Sequence, residues 1–168
     1  MRSVYKKLSS VKLLICDVDG VFTNSHLYMG NDLDEIKAFH IHDGLGIKRL
    51  LANQIEVAVI TARVSQAVAK RMSTLGIKHL HQGQQNKLPA YEHLLMQLQL
   101  QDEEIAYIGD DLPDLPLIQR AGFGVAVANA VAEVKQSADW VTQLPGGQGA
   151  IRELAELILS AKEVLQRA

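Results

Sequence analysis

Short apolar runs alternate with longer amphipathic ones along this chain, and that alternation limits the folds open to it. Residues 11–16, 56–60, 77–81, 105–109, 124–127 and 139–141 are brief runs, mostly rich in Val, Ile or Leu, bounded by polar residues or Gly. Runs of this kind are strands covered on both faces. Helical patterns lie between them. Residues 44–52 follow Asp43, and 65–75 stop at Gly76, a glycine placed to end a helix. Residues 87–100 repeat Leu88, Tyr91, Leu94, Leu95 and Leu98 at helical spacing. Residues 113–121 precede Gly122, and 149–167 align Ile151, Leu154, Ala155, Ile158, Ala161 and Leu165 on one face. Repeated strand-then-helix units predict right-handed crossovers. The expected fold is therefore α/β, with a mostly parallel sheet and helices on both faces. One segment breaks the rhythm. Residues 22–29 and 34–40 flank Gly30, Asn31 and Asp32, which predicts a β-hairpin inserted after the first strand.

Size and composition narrow the classes further. A chain of 168 residues, 48% apolar and 21% charged, suits one core-forming domain. Lys and Arg number 17 against 19 Asp and Glu, so the basic excess of a general nucleic-acid binder is missing. A single cysteine, Cys16, excludes an intrachain disulfide and a Cys-cluster zinc site, and fits a reducing compartment. Arg2, Lys6 and Lys7 before an apolar run imitate a signal peptide. The run ends at Asp17 after residues 13–16, short of the roughly 7–15 that a signal core needs. No stretch approaches the ~20 apolar residues of a membrane span. The expected location is the cytoplasm.

In an open α/β sheet, ligands bind beyond the carboxyl ends of the strands. Those ends carry the polar residues here. The first strand runs into Asp17-Val18-Asp19-Gly20. The second runs into Thr61-Ala62-Arg63, and the fourth into Gly109-Asp110-Asp111, with Asp114 close behind. Lys87 opens the helix after the third. Carboxylates crowded together repel, and a divalent cation is the simplest cure. An all-oxygen ligand set suits Mg²⁺. A carboxylate can attack phosphorus, and a second one can protonate the leaving oxygen and then activate water. Thr61 and Lys87 offer a hydroxyl and a cation to phosphoryl oxygens.

This set of motifs resembles the haloacid dehalogenase (HAD) phosphatase superfamily. Residues 39–47 (Phe39, His40, Asp43, Gly44, Leu45, Gly46 and Ile47), residues 107–111 and residues 145–153 resemble, more narrowly, its 3-deoxy-D-manno-octulosonate 8-phosphate (KDO 8-phosphate) phosphatase group. Ala62 and His42 depart from it, standing where that group carries Gly and often Arg. The resemblance implies a capless Rossmann-like domain hydrolysing KDO 8-phosphate in lipopolysaccharide biosynthesis. It implies Asp17 as nucleophile, Asp19 as general acid and base, and Mg²⁺ held by Asp17, the Asp19 carbonyl and Asp110. It further implies a phosphate and substrate site of Thr61, Ala62, Arg63, Lys87 and Arg152, and a homotetramer with active sites at subunit borders.

Plainer readings stand beside these. Asp111 and Asp114 can simply cap the helix near Pro113, and Arg152 can pair with Glu156 four residues on. Residues 146–152 can be a loop only, or can reach into a neighbouring copy's site. The alternative substrate is a nine-carbon sialic-acid-type 9-phosphate. From other classes, a catalytically retired HAD module is opposed by the intact Asp17, Asp19, Lys87 and Asp110. A phospho-accepting receiver domain needs its Asp on a central strand, where the sequence suggests Thr61 and His81.

Overall fold

The computed structural model describes residues 2–28 and 35–166. Six strands form one sheet: β1 (Leu13–Cys16), β2 (Glu56–Ile60), β3 (His79–His81), β4 (Ile105–Gly109), β5 (Phe123–Ala126) and β6 (Trp140–Val141). All neighbours run parallel, in the order β3-β2-β1-β4-β5-β6. The helices are α1 (Arg2–Ser9), α2 (Ile41–Ala52), α3 (Gln66–Leu75), α4 (Leu88–Leu98), α5 (Leu115–Arg120), α6 (Ala132–Ser137) and α7 (Ala150–Gln166). α7 packs with α1 and α2, while α5 packs with α4 and α6. Every residue of β1 is inaccessible to solvent, as its unbroken Leu-Leu-Ile-Cys run requires. No helix among the described residues is long and apolar enough to cross a membrane.

Register places the site. Cys16 lies level with Val59 on one side and Ile108 on the other. Asp17, Thr61 and Asp110 therefore leave the sheet at one edge. The strand order reverses between β1 and β4, which opens the crevice where such folds bind ligands.

Several expectations need correction. The central strands are β1 and β4, carrying Asp17 and Asp110, whereas β3 with His81 is an edge. The central-strand argument against a receiver domain thus fails. α2 starts at Ile41, so Asp43 sits inside its first turn. A 3₁₀ turn, Leu112–Asp114, precedes α5, which is only six residues long. The short helices α1 and α6 were not expected. In α1, Leu8 is buried against the core, which accounts for the apolar-and-basic start.

Among the described residues, the expected hairpin shows one antiparallel bridge, Tyr28 to Ile36. Residues 29–34, including Met29 and Leu33, lie outside the described residues. Phe22 belongs to the buried turn after β1, and Phe39 packs against the core. Among the described apolar residues of this segment, Leu27, Tyr28 and Ile36 stand about half exposed.

Candidate active site

A cavity of about 260 Å³ opens at the carboxyl edge of β1, β2 and β4. Asp17, Asp19, Thr61, Ala62, Arg63, Lys87, Asp110, Asp111 and Asp114 all line it, with Ser25 and Pro113. Nine residues singled out from sequence thus meet in one place, although 97 positions separate Asp17 from Asp114 in the chain.

The loop after β1 is built around one carbonyl. Val18 accepts the backbone N–H groups of Val21, Phe22 and Thr23. Gly20 takes φ +98°, and a Cβ there would lie 1.9 Å from an Asp110 carboxylate oxygen. Only glycine lets this turn pass that close to Asp110. Asp17 remains on the ladder through its N–H to Ile108.

Lys87 is the hub. Its Nζ lies 2.8 Å from Asp17 Oδ1 and 2.6 Å from Asp114 Oδ1, and its side chain is 2% exposed. The Tyr107 hydroxyl donates to the same Asp114 oxygen at 2.6 Å. The other Asp114 oxygen accepts the N–H groups of Asp110 and Asp111. Both oxygens of Asp114 are therefore committed. It orients Lys87 and the Asp110 loop. Asp111 caps the 3₁₀ turn by accepting the Leu112 N–H.

Charge balance at this edge calls for a cation. Asp17, Asp110 and Asp114 each bring a carboxylate oxygen within 4.8 Å of the others. Lys87 supplies one positive charge against those three. Burial, then the Asp114 charge, pushes Asp17 up to about 7 despite Lys87. Burial, then Asp17 and Asp114, pushes Asp110 up to about 7 as well. Burial works against the charge on Lys87, but Asp17 and Asp114 outweigh it and raise its pKa. A hard divalent ion matches this donor set and this excess charge. Asp17 and Asp110 are its available carboxylates, since Asp114 is already saturated.

Asp19 departs from the carboxylate cluster. Its side chain is ion-paired to Lys37, itself 3% exposed, and Arg63 Nε lies 3.9 Å away. Arg63 also binds Glu35 at 2.7 Å. Lys37 and Glu35 were missed from sequence because they sit on the expected hairpin, where nothing local distinguishes them from surface charges. Tyr107 was read only as part of a strand motif.

The geometry can now be set beside known proteins. A haloacid dehalogenase-like hydrolase family model matches residues 79–153. The KDO 8-phosphate phosphatase of Yersinia pestis is 48% identical over 165 residues, covering 98% of this chain and 88% of that protein. The chain belongs to the KDO 8-phosphate phosphatase family. It is a phosphoric monoester hydrolase of the HAD-like class, and the receiver reading is set aside. The Escherichia coli K12 phosphatase is 47% identical over the same share. A crystal structure of the Moraxella catarrhalis phosphatase, in complex with magnesium, phosphate and KDO, is 40% identical. It covers 99% of this chain and 96% of its own, with a TM-score of 0.95.

Against this family background, one expected site residue stays apart. Arg152 Nε donates to Glu156, which also pairs with Arg49, and Arg152 does not line the cavity. The preceding loop packs on its own chain. Gly147 donates to the Val21 carbonyl at 2.8 Å, and Gly146 lies against Gly20.

Proposed function

We propose that this chain hydrolyses KDO 8-phosphate to KDO and inorganic phosphate, through an aspartyl-phosphate on Asp17, in lipopolysaccharide biosynthesis. The observation that carries the reading is the shared cavity of Asp17, Thr61, Lys87 and Asp110 in a chain 40–48% identical to phosphatases of that name.

The residues divide the work as follows. An Asp17 oxygen attacks phosphorus in line, and the bond from phosphorus to the sugar oxygen breaks. Asp19 gives its proton to the departing alkoxide. Asp19 then takes a proton from water, whose oxygen attacks the same phosphorus and releases Asp17. Lys87, Thr61 and the Ala62–Arg63 backbone hold the phosphoryl oxygens. Asp17, Asp110 and the Asp19 carbonyl would hold Mg²⁺, which when bound neutralises charge between the carboxylates and the phosphoryl group. The ion pair with Lys37 holds the Asp19 side chain in place at the cavity wall.

The chain acts as one capless domain in a homotetramer, with its sites at subunit borders. Two observations favour this. Between β1 and α2 the described residues add only a turn and one antiparallel bridge. Leu27, Tyr28, Ile36 and Ile41 expose apolar surface in that same stretch.

Phosphate release from KDO 8-phosphate, a sialic-acid-type 9-phosphate and a small ester, each with and without Mg²⁺, tests the reading. KDO 8-phosphate with Mg²⁺ is expected to be fastest by kcat/KM. Preference for the nine-carbon substrate, or Mg²⁺-independent turnover, would overturn it. A light-scattering mass of a single chain at full activity would remove the tetramer.

A further inference from the structure

Asp43 is a buried carboxylate that the proposed chemistry does not use. It is 1% exposed and does not line the cavity. Both its oxygens are spent on the start of a distant helix. Oδ1 accepts the Arg152 N–H at 2.8 Å, and Oδ2 accepts the Gly149 N–H at 3.2 Å. Gly149 stands just before α7 with φ +110° and has no side chain to cap it. The first turn of α7 therefore takes its cap from α2, 106 residues upstream.

What this cap secures is the loop before α7. Gly146 presses on the turn after β1, where a Cβ would lie 1.6 Å from the Gly20 carbonyl oxygen. Gly147 takes φ +68° and donates its N–H to Val21. The Gly146 N–H reaches Asn129 Oδ1 at 2.9 Å. Two residues on, the Val131 N–H holds the Asp110 carbonyl. The loop thus touches the turn that follows Asp19 directly, and is linked to the Asp110 segment only through the Asn129–Val131 stretch. Gly20 in turn leans directly on the Asp110 carboxylate.

We propose that Asp43 is a positioning residue. By capping α7 it clasps residues 145–149 onto the Gly20–Val21 turn, and so fixes Asp19 relative to Asp110. The proposal deepens the proposed function and rests on its assignment of Asp19. Asp17 has its own support in the β1–β4 ladder, and the phosphate-holding groups Thr61 and Lys87 stand on other elements. Loosening the clasp should therefore slow turnover and leave phosphate-ester binding alone.

The test uses Asp43→Asn, which keeps the shape but sets an amide N–H against the Gly149 N–H. Turnover of p-nitrophenyl phosphate with Mg²⁺ is measured per active site, counted by beryllium fluoride binding. The expected kcat per site is about 10-fold lower, within the 10–100-fold typical of groups supporting ligands from behind, and KM stays within about 2-fold. Hydrogen exchange of the intact chain should accelerate in peptides covering 143–152 and also 18–25. A purely structural role would lower the number of sites and leave kcat per site alone. That result, or unchanged exchange in 18–25, overturns the proposal. Gly146→Ala, which pushes the loop off Gly20 without touching the cap, is read by the same criteria and decides the matter if Asp43→Asn does not fold. If both variants fold and only one slows, the clasp is also overturned. A wild-type chain inactive on every phosphate ester would instead defeat the proposed function, and the exchange arm would still judge the clasp.

Discussion

Replacing Lys87 by Met should destabilise the protein in a way that grows with pH. Lys87 is sealed between Asp17 and Asp114, with side chains 2%, 10% and 1% exposed. Met fills much the same volume and removes the charge together with the N–H donors to Asp17 and Asp114. Breaking a buried pair by deleting one partner costs about 3–5 kcal/mol, because the other charge is left behind. At about 2–4 °C per kcal/mol for a chain of this size, the melting temperature should fall by roughly 10 °C. Protonation sets the pH dependence. Asp17 already sits at about 7 with Lys87 present, and loss of the cation moves it higher. A carboxyl whose native pKa is raised binds more protons folded than unfolded between the two values. Its contribution to stability is therefore lost as pH rises from about 4 through 7 and beyond. The deficit of Lys87→Met against wild type should be small at pH 5 and largest near pH 8. Thermal melts in EDTA across that range measure it. A deficit that is constant with pH, or largest at pH 5, would refute the unpaired-carboxylate reasoning.

Three further outcomes follow from the same geometry. Asp17→Asn should abolish phosphate release while the circular dichroism spectrum stays that of the wild type; turnover near the wild-type rate would remove Asp17 as nucleophile. Mg²⁺ should raise the melting temperature of the metal-free protein more at pH 8 than at pH 6, since protons on Asp17 and Asp110 compete with the cation below about 7; an equal or reversed shift would count against those carboxylates as its ligands. Arg152→Ala should leave kcat/KM for a small phosphate ester within about 2-fold, because its guanidinium is engaged by Glu156 away from the cavity; a large loss would return it to the site.

Local pattern carried the fold and the roster of the cavity. Buried strands announce themselves by unbroken apolar runs, and strand-helix alternation leaves few topologies. Once the strands are parallel, residues just past their ends must share one edge. Asp17, Thr61 and Asp110 were legible for that reason, as was Lys87 at the mouth of the next helix. What lies across the sheet was not legible, because side-chain pairing depends on distances that sequence spacing does not encode. The bond of Lys87 to Asp114 joins residues 27 apart, and Lys37 reaches Asp19 from 18 positions away. The sequence offered Arg152 equally to Glu156 and to a substrate, and only packing chose Glu156. Asp43 read as the lead-in to a helix, yet it caps another one 106 residues later. The sequence determined which residues leave the sheet together, since periodicity and strand ends are properties of contiguous chain. The tertiary structure alone decided which charges are buried against which, since burial and charge compensation belong to the assembled core.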